Sequence, residues 1–381
     1  MSKLSNVSCY VTEKISVDSI DISEYITTDN LLQNKKGRVI AEKLPTQKVT
    51  RFKKNDILIA NIRPYLKKIW QADIDGGASS DVLVVRPNDV IDNNFLYYAL
   101  TQDSFFEYVM KGSKGTKMPR GDKSQIMDFV IPNLEIDEQI KIGKLLKSID
   151  QKIQINNQIN QELEAMAKTL YDYWFVQFDF PDQNCKPYKS SGGKMVYHPE
   201  LKREIPEEWG VESVGNLLDK VTKAEKIENN SIEFIGEIPV IDQSQKYIAG
   251  FTNNEKALLQ PQDGHVIFGD HTRVVKYINF DYARGADGTQ VLISNNENIS
   301  NVLLYHMIED FDLSNYGYAR HFKFLKEKTV IVPDKEVSSK FETQANVIYE
   351  KIKNNIFENQ ELTQLRDWLL PMLMNGQVKV E

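Results

Sequence analysis

Cysteine is almost missing from this chain: Cys9 and Cys185 are the only two in 381 residues, and neither lies in a CxxC or Cys/His spacing. That argues against a disulfide framework and a structural zinc site, and it fits a reducing, cytoplasmic setting. Long apolar runs are missing too. Nothing approaches the roughly 18 consecutive apolar residues of a membrane span, so no membrane association is expected. The start, Met1-Ser2-Lys3-Leu4-Ser5-Asn6, has no apolar core of a secretion signal. Reactive fingerprints are equally scarce. There is no G-x-x-x-x-G-K-[ST] phosphate loop, and Gly192-Gly193-Lys194-Met195 lacks both its spacing and its hydroxyl. No G-x-G-x-x-G, G-x-S-x-G or H-E-x-x-H occurs, and Asn61-Ile62-Arg63-Pro64-Tyr65 does not supply the Asn/Asp-Pro-Pro-aromatic loop of an adenine methyltransferase. The five histidines (198, 265, 271, 306 and 321) are scattered, and no metal is assigned to them. The sequence therefore offers no catalytic residue.

What is present is the balance of a globular protein, 41% hydrophobic and 27% charged, long enough for two or three domains at roughly 150 residues each. The net charge of −7 speaks against a general polyanion binder. Local clustering reverses that impression. Between Lys48 and Lys68 seven basic residues face one acid, Asp56, and between Lys111 and Lys123 five face Asp122. Arg320-His321-Phe322-Lys323, with Lys326 and Lys328, forms a third cluster. Local sign decides where a phosphate backbone docks.

The chain reads twice. Ile57-Leu58-Ile59-Ala60-Asn61-Ile62 through Val82-Leu83-Val84 returns without gaps at Val266-Ile267-Phe268-Gly269-Asp270-His271 through Val291-Leu292-Ile293, at an offset of 209. Phe129-Val130-Ile131-Pro132 returns as Val330-Ile331-Val332-Pro333 at 201, and Asn160-Gln161-Glu162-Leu163 returns unchanged at Asn359 at 199. Three echoes in the same order indicate a duplication. Each copy opens with short apolar runs parted by turn signals (Ile57–Ile62, Asp81–Arg86 and Gln125–Ile131 in the first) and an internal helix near Phe95–Val109. A long helix then starts past a proline, with Asp137 as its expected N-cap.

The first long helix carries Ile142, Leu146, Ile149 and Ile153, then, after a phase slip, Ile159, Leu163, Met166 and Leu170. The second offers Ala345, Ile348 and Ile352, then Leu362, Leu365 and Leu369, and stops at Asn375-Gly376. Such seams want a partner helix, and about 38 residues at 1.5 Å per residue exceeds most single cores. The expected fold is α+β: two pseudo-symmetric β-rich domains joined by two long antiparallel coiled-coil helices. The expected division is 1–134, first β-rich domain; 135–178, central helix; 179–204, a Pro/Gly/Ser-rich linker; 205–334, second β-rich domain; and 335–381, C-terminal helix.

The positive chemical signal is for nucleic acid. Asn61, Arg63, Tyr65, Lys67 and Lys68 follow a buried strand, and Asn and Arg can read base edges while lysines hold phosphates. The matching place in the second copy holds Asp270, His271, Thr272, Arg273 and Lys276. Asp accepts from cytosine N4, so the two copies would read different bases. Two further loops carry Lys114, Lys117 and Arg120, and Tyr318, Arg320 and His321. Arginine is scarce, ten in all, yet Arg63, Arg120, Arg273 and Arg320 occupy comparable loops. One competing enzymatic pattern exists: Pro181-Asp182 with Glu200-Leu201-Lys202 fits a loose Mg²⁺-dependent nuclease signature, within a stretch rich in turn formers.

Several segments together resemble the specificity subunits of type I restriction-modification systems. They are Phe52-Lys53-Lys54-Asn55-Asp56-Ile57-Leu58-Ile59-Ala60-Asn61-Ile62-Arg63-Pro64-Tyr65, Ala165-Met166-Ala167-Lys168-Thr169-Leu170-Tyr171-Asp172-Tyr173-Trp174-Phe175, Ile205-Pro206-Glu207-Glu208-Trp209, and Leu365-Arg366-Asp367-Trp368-Leu369-Leu370-Pro371. The resemblance implies two target recognition domains, each reading half of a split double-stranded DNA sequence. It implies two methylation subunits docked on the helices, two restriction subunits, and S-adenosylmethionine, ATP and Mg²⁺ bound by those partners rather than by this chain. The second copy departs from the first, with His271-Thr272-Arg273 facing Ile62-Arg63-Pro64, so the register of Arg273 stays open by one position. A standalone Mg²⁺-dependent nuclease, or a structural or antirestriction decoy of the same shape, are the alternative readings.

Overall fold

The computed structural model describes residues 1–219, 221, 224–286, 288–317 and 320–380. The chain divides into two compact units, Met1–Gln154 with Asn359–Glu381, and Ile155–Glu358. The division cuts through both long helices, so each unit owns a length of each.

The first unit is built on the strand β1 (Ile57–Ala60), flanked by β2 (Ile69–Gln71) and β3 (Val82–Pro87), with Ser8–Tyr10 beyond β3. All four residues of β1 are buried because both of its faces are covered, hence its unbroken apolar run. Ile57 and Ile59 pack with Phe95, Leu96 and Phe105, whereas Leu58 and Ala60 join Leu31, Phe52 and Trp70. A second four-stranded sheet centres on Gly76–Ala78, whose first residue leaves no room for a side chain: a Cβ on Gly76 would lie 2.2 Å from the Glu24 carbonyl. The helix expected at Phe95–Val109 is two helices, α1 (Asn93–Thr101) and Asp103–Lys111, parted by the extended Gln102. Asp92 caps α1 by accepting from the Phe95 amide at 2.9 Å. Gln125–Ile131 is not one strand either: α2 (Lys123–Met127) precedes a short Val130–Ile131 strand. The long helix α3 (Ile136–Tyr171) starts one residue ahead of the expected cap, leaving Asp137 in its first turn.

The second unit repeats the plan with β4 (His265–Gly269), β5 (Val275–Ile278), β6 (Thr289–Ser294), α4 (Asn301–Ile308), α5 (His321–Lys326) and the second long helix, α6 (Lys335–Met374). Its other sheet also has a central strand, Tyr282–Arg284, with one parallel and one antiparallel neighbour. The fourth strand differs. It joins the antiparallel neighbour in the first unit and the parallel neighbour in the second. The segment read as a linker is packed: Phe180 is buried and stacks on Trp209 at 4.9 Å, and Met195–His198 pairs with Arg203–Pro206.

Strand pairing corrects the gapless alignment of the copies. Ile59 pairs with Ile69 and its counterpart Phe268 with Val275, so nine residues close the first hairpin and six the second. On the return, Ile57 faces Val85 and Val266 faces Leu292, so Leu292 answers Val85 rather than Leu83.

Within each unit the helices run antiparallel. In the first, Ile142 and Leu146 pack with Leu370 and Leu373, while Asp150 meets Arg366. In the second, Leu163 and Ala167 share a core with Ala345, Tyr349 and Ile352. Of the expected seam positions, Ile149 and Ile352 are buried, and Ile153, Leu163, Leu170, Ile348, Leu362 and Leu369 half-buried. Met166 and Leu365 do not belong to it, being 59% and 43% exposed. The phase slip after Ile153 is filled by polar groups instead. Asn156 donates to Glu358 at 2.7 Å and Asn355 to Asn160 at 2.8 Å, all three asparagines buried. The C-terminus of α6 stops as expected, with Gly376 at φ 69° and the Gln377 amide donating to the Met372 carbonyl at 2.9 Å.

Candidate nucleic-acid interface

In the first unit the two basic loops, more than fifty residues apart in sequence, become one surface. The Arg63 amide donates to the Pro119 carbonyl at 2.8 Å, and Gly121 donates to the Asn61 carbonyl at 3.1 Å. Lys114 and Arg120 exchange backbone bonds at 2.9 and 3.0 Å, closing the second loop into a small hairpin. Arg63 sits at φ 52°, a left-handed conformation that is unfavourable for a residue with a Cβ. The Arg63 guanidinium, the Tyr65 ring and the Lys117 ammonium are exposed there.

The other cations are engaged to different degrees. Lys114 pairs with Asp122 at 3.1 Å and Arg120 with Asp81 at 3.2 Å, both at the surface, where such pairs contribute about 0–1 kcal/mol and exchange readily for phosphate. The Ser124 hydroxyl, the Gln125 amide and Lys114 hold the Asp122 carboxyl well below the carboxylate range, which marks it as the cap of α2. Lys67 and Lys35 share Asp103, at 2.9 and 2.8 Å. Although its partial burial works the other way, those two lysines keep the Asp103 carboxyl below its usual value. Lys68 donates to the Thr28 carbonyl. Asn61 is half-buried, and its Oδ1 has no hydrogen-bond partner.

The second unit uses the same joint differently. His321 donates through its amide to the Asp270 carbonyl at 3.0 Å, matching Gly121 on Asn61, so Asp270 answers Asn61 and Arg320 answers Arg120. The Asp270 carboxylate accepts from the Phe322 amide at 2.8 Å, at the start of α5. Asp270 is 5% and His321 4% exposed, so both clamp the loop from inside rather than face a ligand. Lys276 is equally removed. It is 5% exposed and donates to the carbonyls of Asp242 at 2.8 Å and Lys246 at 2.5 Å. Burial, only partly offset by Asp242, pulls its ammonium down to about 8. These three expected DNA contacts are corrected to internal roles.

His271, Thr272, Arg273 and Arg320 are exposed; Tyr318 lies outside the described residues. The Thr272 hydroxyl donates to the Gln243 carbonyl at 2.6 Å, and the His271 amide to Gln243 Oε1 at 3.1 Å. Gln243 and Asp81 were not legible as loop partners, because each comes from a different strand end. The hairpin closures also settle the register. Ala60 donates to Lys68 and Gly269 to Val274, so Arg273, at φ 64°, answers Lys67, at φ 50°. Arg63 lies within 62–66, the five residues of the first hairpin that stand opposite only His271 and Thr272 in the second.

The nuclease-like carboxylates are engaged in local structure. Asp182 accepts from the amides of Asn184 at 2.7 Å and Lys186 at 2.8 Å, and Glu200 accepts from Thr329 at 3.1 Å. Among the described residues no helix is long and apolar enough to cross a membrane.

A family model described as the type I restriction modification DNA specificity domain matches residues 11–165. The MjaIX type I restriction enzyme specificity subunit of Methanocaldococcus jannaschii is 25% identical over 78% of this chain and 72% of its own length. The HindI specificity subunit of Haemophilus influenzae is 24% identical over 98% of both. The crystal structure of a type I restriction-modification S subunit from M. genitalium superposes with a TM-score of 0.58 at 17% identity, covering 98% of this chain and 95% of that one. Residues 11–165 thus match the type I restriction modification DNA specificity domain, and over most of its length the chain is similar to specificity subunits of type I restriction-modification systems.

Proposed function

We propose that this chain reads an asymmetric, bipartite double-stranded DNA target, one half-site per unit, and contributes no catalytic group of its own. The observation that carries the reading is the union, in each unit, of two sequence-distant loops at the same strand end. Arg63, Tyr65, Lys117 and Arg120 lie together in one unit, and Arg273 and Arg320 occupy that joint in the other. The loops differ in length and side chains, which supports two different half-sites. Holding both at once makes the second contact intramolecular, so two modest readers reach high joint specificity.

Methylation subunits dock on the long helices in this reading. Ile159, Met166 and Tyr173 recur every seven residues as exposed apolar positions, and Ile155 and Val176 lie beside them. Leu365, the repeat counterpart of Met166, and Trp368 are exposed on α6. One such stripe per unit supports two methylation subunits. Restriction subunits complete the assembly. S-adenosylmethionine, ATP and Mg²⁺ belong to those partners, and the target adenine leaves the helix stack to enter a partner's pocket.

The test is DNA binding by the chain reconstituted with its methylation subunit. Arg63→Ala should weaken binding to the cognate site by about 1–3 kcal/mol and relax one half-site. Unchanged affinity and motif would refute the assignment. Cleavage of DNA by the isolated chain in Mg²⁺, lost on Asp182→Asn, would favour a nuclease instead.

A further inference from the structure

The second unit contains a pocket of about 210 Å³ that belongs neither to the basic loops nor to the exposed helix stripes. Glu164, Tyr247, Lys276, Tyr277, Tyr305 and Tyr349 line it. Three of the rings cluster: Tyr277 and Tyr349 are 4.9 Å apart at 65°, Tyr305 and Tyr349 5.9 Å apart at 83°, and Tyr277 and Tyr305 6.1 Å apart at a shallower 43°. Aromatic faces converging on one space are attractive to a cation. Glu164 stands exposed at the edge, with neither a hydrogen bond nor an ion pair to a described residue. Burial against its surroundings, then the nearby Glu309, raises its carboxyl above the usual glutamate value. Among the described residues the one cation in the wall is Lys276, which is bonded to two carbonyls, with the Asp242 carboxylate 3.8 Å away.

The corresponding place in the first unit is occupied by a charged cluster. The N-caps Asp92 and Ser300 align α1 with α4, placing Tyr97 at the position of Tyr305. The repeat offset of 199 places Asp150 at the position of Tyr349 and Arg366 at that of Ala167. In the first unit Tyr98 donates to Asp150 at 2.6 Å and the Arg366 guanidinium to the same carboxylate at 2.7 Å. Tyrosine, carboxylate and guanidinium thus form a complete set there. In the second unit the equivalent positions are His306, Tyr349 and Ala167: the Tyr349 hydroxyl meets His306 Nε2 at 3.1 Å, and the third position holds no guanidinium, since Ala167 is a fully buried alanine.

We infer that the tyrosine pocket edged by Glu164 binds an organic cation of the guanidinium or ammonium class, supplied from outside the chain. Its source is either a basic side chain of a docked protein partner or a free amine. The first source rests on the docking reading above; the pocket assignment does not.

The test titrates the full-length chain with agmatine, read by calorimetry and by near-UV tyrosine circular dichroism at fixed ionic strength. Saturable one-site binding is expected, weakened about tenfold by Glu164→Gln and largely kept by Glu164→Asp. No saturation, or identical binding by wild type and Glu164→Gln, overturns the proposal. A second arm measures association with the methylation subunit in the presence and absence of agmatine. Competition identifies a partner side chain as the natural occupant; saturable agmatine without competition identifies a free amine. Failure of that complex to form at all would count against docking while leaving the titration readable.

Discussion

Replacing Lys276 by methionine separates a buried structural lysine from a phosphate contact. The side chain is 4% exposed, and its ammonium falls from 10.5 to about 8, chiefly through burial. At about 1.4 kcal/mol per unit, holding the charged form costs the folded state about 3 kcal/mol near neutral pH. Methionine removes that cost and keeps the length of the stem. Against it, the Asp242 and Lys246 carbonyls lose their donor, on the order of 1 kcal/mol each. The expected net is a stabilisation of about 1 kcal/mol at pH 7. The sign reverses with pH. Between about 8 and 10.5 the unfolded chain binds more protons at this position than the folded one, so wild-type stability rises through that window. The variant lacks that gain, so its advantage shrinks above pH 8 and is lost by about pH 10. Urea unfolding of both proteins at pH 7 and 9.5 measures the difference, in which the other titrating groups cancel. DNA binding by Lys276→Met should match wild type. A variant that unfolds more easily at pH 7, shows no pH crossover, or loses DNA affinity as a phosphate contact would, refutes the reasoning.

Other outcomes follow from the same geometry. Asp270→Ala removes the acceptor at the start of α5 and should cost about 1–2 kcal/mol in thermal unfolding, with wild-type-like DNA binding at low temperature. Asn355→Leu strands the buried Asn160 amide and should destabilise by about 1–3 kcal/mol, whereas the double change Asn160→Leu with Asn355→Leu should recover part of that loss, as a double-mutant cycle will report. Lys117→Ala, at an exposed ammonium, should lower DNA affinity uniformly across sequences and reduce the salt slope by about one, read from binding between low and moderate salt.

Much of the fold is written plainly in the sequence, and the exceptions have physical causes. Ile57–Ala60 reads as a buried strand because both of its faces meet cores, which demands four apolar residues in a row. The Asn375-Gly376 stop is legible because the left-handed turn at Gly376 is a local event. The register of Arg273 is not local. It depends on which backbone groups pair across hairpins of unequal length, and only those bonds align Arg273 with Lys67. Among the seam positions read from the sequence, Ile149 and Ile352 are buried, whereas Met166 and Leu365 face outward because a heptad pattern does not say which face meets the partner helix. Between Ile153 and Leu163 buried asparagines bond across the pair and break the apolar rhythm. Asp270, His321 and Lys276 read as DNA contacts because their residue types suit that chemistry. Their carbonyl and amide partners come from remote segments around Asp242, Gly288 and Phe322, which no spacing reveals.

The central claim is that two unlike readers share one chain, and methylation mapping tests it most directly. A host carrying this chain and its methylation subunit should modify adenines in a motif of two specified halves separated by a constant unspecified gap. Arg63→Ala should loosen bases in one half alone, and Arg273→Ala in the other. A single uninterrupted motif, or two variants that loosen the same bases, would contradict the account.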